Sequence, residues 1–212
     1  MTPSVVYQND FQGAVGSEWS STATSLTPVG NRQFLGEFGN ESVSLALADL
    51  PTHNSVTVSF DLFVIRSWDG NNTESNATHG SLGADVWNLT VADGPTLLHT
   101  TFSNHNPDPH APSSRQAYPD AFAGGDYPAY SGAAEVNTLG YLHPTQPIPM
   151  DAVYHLTFTF DHVDAALQLN FSAFGLQGLT DESWGLDNVQ VAVETLPPPP
   201  NVTAILTGDN HY

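Results

Sequence analysis

Alternation of apolar and polar residues with a period of two is the feature that most restricts how this chain can fold. It runs through residues 56–64, 154–160, 167–173 and 189–193, where Val, Leu, Phe and Ala recur at every second position. This period predicts β-strands that each bury one face, and no stretch keeps an apolar period of 3.6 over three turns. Shorter candidate strands cover residues 5–7, 33–38, 43–47, 86–91 and 97–102.

About ten such strands, separated by turn sequences such as Trp68–Asn71 and Asp93–Pro95, predict an all-β fold of two packed antiparallel sheets. Residues 103–150 interrupt the pattern, since they are rich in Pro and show little alternation. An irregular segment of that length predicts a functional insertion, or a cover over one of the sheets.

The chain divides into a sandwich over residues 1–196, a spacer of four prolines at 197–200 and a tail at 201–212. Consecutive prolines form a stiff polyproline II segment, which would project the tail away from the sandwich. Such a tail strand can add to the sheet edge of another copy and build a head-to-tail filament, or it can fold back on its own sandwich. The tail alternates again, with three apolar residues on one face: Val202, Ala204 and Leu206.

Charge restricts the partners of the chain. Asp and Glu number 22 against three Lys and Arg, and the formal net charge is −19. This balance excludes nucleic-acid backbones and anionic lipid as partners, and no run of about 18 apolar residues could insert into a membrane. The chain has no Cys, so disulfides and thiol chemistry are excluded. Its Asn-x-Ser/Thr frames, among them Asn88-Leu-Thr and Asn170-Phe-Ser, are compatible with an extracellular or cell-surface location.

Four segments resemble a known group of domains. They are Val6–Gly13 with Trp19 nearby, Phe60–Gly70, Asp85–Trp87 and Ser183–Val189, and the last contains the most specific motif, Trp-Gly-Leu-Asp-Asn-Val. Together they are similar to secreted bacterial jelly rolls of the concanavalin-A-like group, near MAM and laminin-G-type domains and some carbohydrate-binding modules. The resemblance covers about residues 5–194. It implies a jelly-roll β-sandwich that is extracellular and non-catalytic and often holds structural Ca²⁺.

The first candidate Ca²⁺ site would join the two ends of the sandwich. The first and last strands of such domains commonly pair, which would bring Asn9 and Asp10 beside Asp187 and Asn188. Ca²⁺ takes about six to eight oxygen ligands, and these side chains, with Glu37 or backbone carbonyls, could supply them. Alternatively, Asp10 and Asp187 only cap turns by accepting hydrogen bonds from backbone N–H groups.

The second candidate Ca²⁺ site is the turn Asp69-Gly70-Asn71-Asn72, with Asp61 or Asp85 as a more distant partner. Asp-x-Asn spacing in a turn that contains Gly lets two side chains and a carbonyl converge on one cation. Alternatively, the turn only closes a hairpin and Asp85 caps a strand. Another loop, with His105, Asp108 and His110, could hold Zn²⁺ or Cu²⁺, or it is an ordinary extended loop stiffened by prolines.

Catalytic patterns are missing from the sequence. A glucanase of this architecture would show paired acids along one strand, and neither that pattern nor Gly-x-Ser-x-Gly nor a phosphate-binding loop occurs. Five aromatic residues of the irregular segment could instead stack on sugar rings, or seal the segment onto the sandwich: Tyr118, Phe122, Tyr127, Tyr130 and Tyr141. The first choice among them for sugar binding is the three tyrosines Tyr118, Tyr127 and Tyr130. The four Trp residues are expected to pack inside.

These observations predict an extracellular, Ca²⁺-binding jelly-roll domain with a structural role and no enzymatic activity. Its partners would be other copies of itself in a homopolymer. The alternative function is that of a lectin-like carbohydrate-binding module, with extracellular polysaccharide as its partner.

Overall fold

The computed structural model of the chain describes residues 3–73, 75–76, 80–81, 83–105 and 115–195. These residues form fifteen strands and no helix. The proline spacer and the tail, with Val202, Ala204 and Leu206, lie outside the described residues, as do Asp108 and His110. The strands are β1 (Ser4–Asn9), β2 (Thr24–Leu26), β3 (Gln33–Phe38), β4 (Ser42–Leu47), β5 (Ser55–Arg66), β6 (Ser75–Asn76), β7 (Gly80–Ser81), β8 (Val86–Val91), β9 (Thr96–Thr101), β10 (Arg115–Gln116), β11 (Tyr127–Pro128), β12 (Glu135–Val136), β13 (Asp151–Asp161), β14 (Leu167–Phe174) and β15 (Glu182–Glu194).

One sheet has seven strands, in the order β12-β13-β5-β15-β3-β2, with β1 also paired to β15. The long strand β15 pairs with β5 on one side, while β3 and β1 share its other side. The predicted pairing of the first and last strands is confirmed, since Asn9 lies opposite Val189. β15 begins at Glu182, whereas the alternation predicted a strand only from residue 189. The alternation is missing from residues 182–187 because they are buried on both faces.

The second sheet has four antiparallel strands in the order β4-β14-β8-β9. The two sheets pack face to face, so the chain is an all-β, jelly-roll β-sandwich, as predicted. None of the described residues forms a helix long and apolar enough to cross a membrane.

Aromatic side chains from both sheets meet in the core. Trp87 and Phe171 of the four-stranded sheet face Trp184 and Phe60 of the seven-stranded sheet. The ring centroids of Trp87 and Trp184 are 6.0 Å apart, and those of Phe60 and Phe171 are 5.4 Å apart, both in edge-to-face contact. This geometry is favourable for aromatic pairs beyond the area that they bury. All four Trp residues are buried, which confirms the prediction.

The irregular segment covers part of the outward side of the seven-stranded sheet. Leu139 and Tyr141 pack against Phe63, whose neighbours in β5 point into the main core. The Asp151 carboxylate anchors this cover by accepting hydrogen bonds from three consecutive N–H groups, at residues 139–141, each at 3.0 Å. The prediction that the segment covers one sheet is therefore confirmed. Few of the described residues cover the outward side of the four-stranded sheet, where most side chains are exposed or half-buried.

Candidate functional site

The outward face of the four-stranded sheet carries only uncharged side chains. Residues such as Leu45, Trp87, Leu89 and Phe171 point into the core, so the residues that alternate with them point away from it. None of the residues in the four strands is Asp, Glu, Lys or Arg. The exposed or half-buried members of this face are Ser42, Ser44, Ala46, Asn88, Thr90, Thr96, His99, Gln168, Asn170, Ser172 and Phe174.

One row of this face connects all four strands. Asn88 lies opposite His99 on one side and Ser172 on the other, and Ser172 lies opposite Ser42. His99 Nδ1 donates to Asn88 Oδ1 at 2.5 Å, and Asn88 Nδ2 donates to Ser172 Oγ at 3.5 Å. Since Nδ1 of His99 carries the proton in this arrangement, Nε2 of the neutral ring is left as an acceptor. The row therefore presents both donors and acceptors at fixed positions.

The next two rows along β14 add two more amides, Asn170 and Gln168. Gln168 Nε2 donates to Asn170 Oδ1 at 2.8 Å. Asn170 lies opposite Ser44 on one side and Thr90 on the other. These rows thus consist of amides, hydroxyls and the His99 imidazole, which can hydrogen-bond a ligand without a carboxylate, lysine or arginine having to be removed from water.

Aromatic rings line one end of the face. Phe174, the last residue of β14, is 47% exposed, and its ring centroid lies 6.3 Å from that of His99. Phe122 of the irregular segment lies 6.1 Å from His99, because its N–H donates to the His99 carbonyl at 2.9 Å and fixes it along the outer strand β9. The irregular segment therefore adds an aromatic ring to the face as well as covering the other sheet.

Two of the three tyrosines predicted to bind sugar have interactions within the protein. The ring of Tyr118 lies 5.1 Å from that of Phe102 and 5.3 Å from that of Tyr154, and burial raises its pKa. Tyr130 donates its hydroxyl to the carbonyl of Asn104 at 2.5 Å, and burial raises its pKa to about 12. Both contacts agree with the alternative that these rings seal the segment onto the sandwich.

The third tyrosine lies nearer the surface. Tyr127 donates its hydroxyl to Asp120 Oδ2 at 2.8 Å and is half-buried. Of the aromatic residues named from the sequence, Phe122 lies at the open face, beside His99. The second ring at this face, Phe174, belongs to β14 and was not predicted. Phe174 continues the alternation of β14, which directs it away from the core. No sequence signal indicates that this outward face is accessible to a ligand.

Side chains of the first predicted Ca²⁺ site have separate partners. Asn9 Oδ1 accepts from the N–H of Phe11 at 2.7 Å, and Asp10 Oδ1 accepts from the N–H of Gln12 at 3.1 Å. This is the turn-capping alternative. Glu37 lies elsewhere, where its Oε2 pairs with Arg66 Nη1 at 2.5 Å.

Asp187 and Asn188, which complete that predicted site, belong to a charged cluster on the outward side of the seven-stranded sheet. Arg32 lies 3.6 Å from Asp187 Oδ2 and 3.7 Å from Asp61 Oδ2, and Asn188 Nδ2 donates to Asp61 Oδ2 at 2.7 Å. His155 Nδ1 contacts Asp61 Oδ1 at 2.5 Å. Burial raises the pKa of Asp187 to about 6, although the nearby Arg32 opposes this shift. The positive charge beside Asp187 therefore comes from Arg32, at the place where the sequence predicted a Ca²⁺ ion.

Of the second predicted Ca²⁺ site, the structure brings the turn at Asp69 and Asp85 together but directs the Asn71 side chain elsewhere. Asn71 faces the irregular segment, where its Nδ2 donates to the Gly125 carbonyl at 3.0 Å. Asp85 is fully buried, and one of its oxygens accepts from the N–H of Asp69. Glu182, which the sequence analysis did not single out, is fully buried in the same region. Among the described residues, no group of three or more His, Asp and Glu side chains is arranged to hold a metal ion, so Ca²⁺ binding stays a prediction.

Comparisons with known proteins found no matching family model and no matching curated protein. Several solved structures are similar in fold. The CBM22-1 xylan-binding domain of Paenibacillus barcinonensis Xyn10C shares 11% identity, with 92% of this chain and 97% of that chain covered and a TM-score of 0.42. The carbohydrate-binding module CBM6cm-2 of Cellvibrio mixtus lichenase 5A, solved with cellotriose, shares 13% identity over 91% and 99%, with a TM-score of 0.37. At these values the likeness assigns neither a family nor a ligand to this chain.

Proposed function

We propose that this protein is a non-catalytic carbohydrate-binding module that holds a neutral polysaccharide on the outward face of its four-stranded sheet. The observation that carries the proposal is an uncharged face on a chain with a net charge of −19. Sugar hydroxyls both donate and accept hydrogen bonds, and the row from His99 through Asn88 and Ser172 to Ser42 offers both. The exposed ring of Phe174 offers an apolar surface to a sugar ring.

The length of the row suits a short stretch of polymer. Adjacent strands lie about 4.8 Å apart, so a row across four strands spans roughly 14 Å. A chain of about three sugars running across the strands would contact His99, Asn88 and Ser172 in turn. Anionic polysaccharides are disfavoured, because the net charge of the protein repels them at a distance.

Binding rather than cleavage fits the chemistry of the face. Glycosidases use a pair of carboxyl groups on either side of the scissile bond, and the four strands carry no carboxyl group. The proposal includes an extracellular or cell-surface location, where such polysaccharides occur. The polysaccharide partner that the sequence offered as an alternative therefore has more support than the homopolymer.

Calorimetric titration tests the proposal. The full chain, produced in bacteria so that Asn88 and Asn170 carry no glycan, is titrated with unsubstituted xylan, with cellotriose and with polygalacturonate. Binding to a neutral glycan and not to polygalacturonate is the expected result. Asn88→Asp should weaken binding by roughly fivefold or more, since a lost donor and a desolvated carboxylate cost about 1–3 kcal/mol.

Gln190→Glu is the matched control. It introduces the same isosteric charge on the half-exposed outward side of β15, in the other sheet, and should leave binding unchanged. Equal losses in the two variants would show that net charge, and not the open face, governs binding. Failure of a broad panel of neutral glycans to bind would refute the proposal.

The calcium-dependent filament is a separate prediction of the sequence. Its assembly residues Val202, Ala204 and Leu206 lie outside the described residues. Electron microscopy of the full chain and of a chain ending at Leu196, each with Ca²⁺ and with EDTA, tests it. Filaments that disappear on truncation would support donor-strand assembly, and single particles throughout would contradict it.

A further inference from the structure

A cavity of about 690 Å³ lies at one end of the sandwich. It is lined by residues where β4 and β8 end and β14 begins, and by the turns that connect β8 to β9 and β13 to β14. Pockets that hold small ligands have volumes of about 300–1,000 Å³, so this cavity is large enough to hold a sugar.

The cavity is continuous with the outward face of the four-stranded sheet. Ala46 of β4 and Gln168 of β14 lie opposite each other, and both belong to that face and line the cavity. Gln168 Nε2 donates to Asn170 Oδ1 at 2.8 Å, which leaves Gln168 Oε1 as an acceptor where the face and the cavity meet. Since Phe174 is the last residue of β14, the cavity adjoins the end of the face opposite to the aromatic rings.

One wall of the cavity is fixed by a pair of histidines. His162 lines the cavity, and its ring stacks on that of His53, with the ring centroids 5.1 Å apart. His53 Nδ1 donates to the Pro51 carbonyl at 2.6 Å, so its Nε2 accepts from His162 Nδ1 at 2.8 Å. Burial and the neighbouring His53 lower the pKa of His162 against the opposing effect of Asp164, so the ring is uncharged at neutral pH. A wall that is held in place before the ligand arrives costs less to order on binding.

The lining combines small apolar side chains with carboxylates. Ala92, Pro95 and Ala166 are exposed and offer an apolar surface to the C–H groups of a sugar. Asp93 and Asp164 are exposed in the same turns, and carboxylates accept strong hydrogen bonds from hydroxyl groups. The same carboxylates repel an anionic sugar. The cavity therefore suits a neutral sugar, as the outward face does.

The distance between the cavity and the row at Ser172 separates two kinds of glycan. Gln168 precedes Ser172 by four residues in the same strand. At about 3.4 Å per residue, the two positions are roughly 13 Å apart, which is about the length of three sugars. An unbranched chain that crosses the strands at the row of Ser172 therefore does not enter the cavity, whereas a side branch that runs along β14 reaches it.

We propose that the cavity binds the terminal sugar of a side branch, so that the protein selects branched neutral polysaccharides over unbranched ones. The inference rests on the proposed function, because it places the main chain of the glycan on the row from His99 to Ser42. Main chain and branch belong to one molecule, so once the main chain is bound the branch enters the cavity at a high effective concentration. The two contacts together therefore raise the affinity above that of the main chain alone.

Calorimetric titration of the full chain with two neutral glycans that share a main chain tests the inference. Cellotetraose is the unbranched ligand, and a galactosylated xyloglucan oligosaccharide carries xylose and galactose branches on the same glucan. The branched ligand should bind roughly tenfold more tightly or better. Ala166→Trp, which fills the cavity from an exposed position, should lower the affinity for the branched ligand to that for cellotetraose and leave cellotetraose binding unchanged. Ala92→Trp, from the turn between β8 and β9, should have the same effect.

Ala165→Trp is the matched control, because Ala165 is exposed in the same turn but does not line the cavity, and it should keep the preference for the branched ligand. Equal affinities of the unmodified chain for the two ligands, or binding of cellotetraose alone, would overturn the inference and leave the proposed function in place. An equal loss in Ala165→Trp and Ala166→Trp would overturn it too. If neither these ligands nor any other neutral glycan bound, the inference and the proposed function would both fail.

Discussion

Removing the ring of Phe174 gives the most direct measure of the proposed binding face. The residue ends β14, lies beside His99 and is 47% exposed, so about half of its side chain is available to a ligand. Phe174→Ala should weaken binding of a neutral glycan while the hydrogen-bonding rows of the face remain in place.

The size of the effect follows from the exposed area. A Phe side chain offers roughly 200 Å², so the exposed fraction corresponds to about 95 Å². At about 25 cal/mol per Å², covering all of it would contribute about 2.4 kcal/mol. A sugar covers only one face of the ring, and half of that value, about 1.2 kcal/mol, corresponds to a nearly tenfold rise in Kd.

Calorimetric titration of Phe174→Ala with the best glycan of the panel measures this change, and circular dichroism checks that the variant is folded. Leu179→Ala is the matched control, because Leu179 has the same exposed fraction, 47%, and lies in a loop outside the four-stranded sheet. An unchanged Kd for Phe174→Ala, or an equal loss in Leu179→Ala, would refute the assignment of the aromatic end of the face to sugar binding.

Two further predictions concern stability. The pKa of Asp187 is raised to about 6 in the folded protein, chiefly by burial, from 3.8 in the unfolded chain. The folded state therefore holds this proton more tightly, and the stability that it contributes is complete below about pH 4 and is lost as the pH rises through 6. In Asp187→Asn, the free energy of unfolding measured in urea should depend less on pH between pH 4 and 6. An unchanged dependence on pH would contradict this. Gly125→Ala should destabilise the fold by about 1–3 kcal/mol, because its Cβ would lie 1.9 Å from the Ala117 carbonyl oxygen. Gly124→Ala, whose Cβ would meet only the Ala121 carbonyl oxygen at 3.4 Å, should cost far less in the same chemical-denaturation assay, and equal losses would contradict the steric argument.

Strands with one covered face were predictable from the sequence. β14, the first half of β5 and the second half of β13 alternate clearly, because one side of each faces the core and the other side carries mainly polar residues. The first half of β15 was missed, since Glu182–Asp187 is buried on both sides by neighbouring strands and the irregular segment. Burial on both faces removes the period of two, and the bulge at Asn188 interrupts the register that the second half would have extended.

Candidate sites were less predictable than strands, because a site depends on which strands are neighbours. The sequence singled out acidic residues such as Asp187 and Asp85 but could not show that Arg32 approaches the first or that Glu182 is buried with the second. Those contacts join residues that are far apart in the chain, and local spacing carries no information about them.

The sequence by itself determined the all-β class, the acidic surface and the buried aromatic core, because periodicity, charge and apolar content are properties of the chain. Only the tertiary structure decided that β4, β14, β8 and β9 are neighbours, which aligns Ser42, Ser172, Asn88 and His99 in one uncharged row. It also decided that the irregular segment covers part of the seven-stranded sheet, while few of the described residues cover the outward side of the other sheet. The physical reason is that strand order and the path of a long connection are set by packing between distant segments, which no local pattern records.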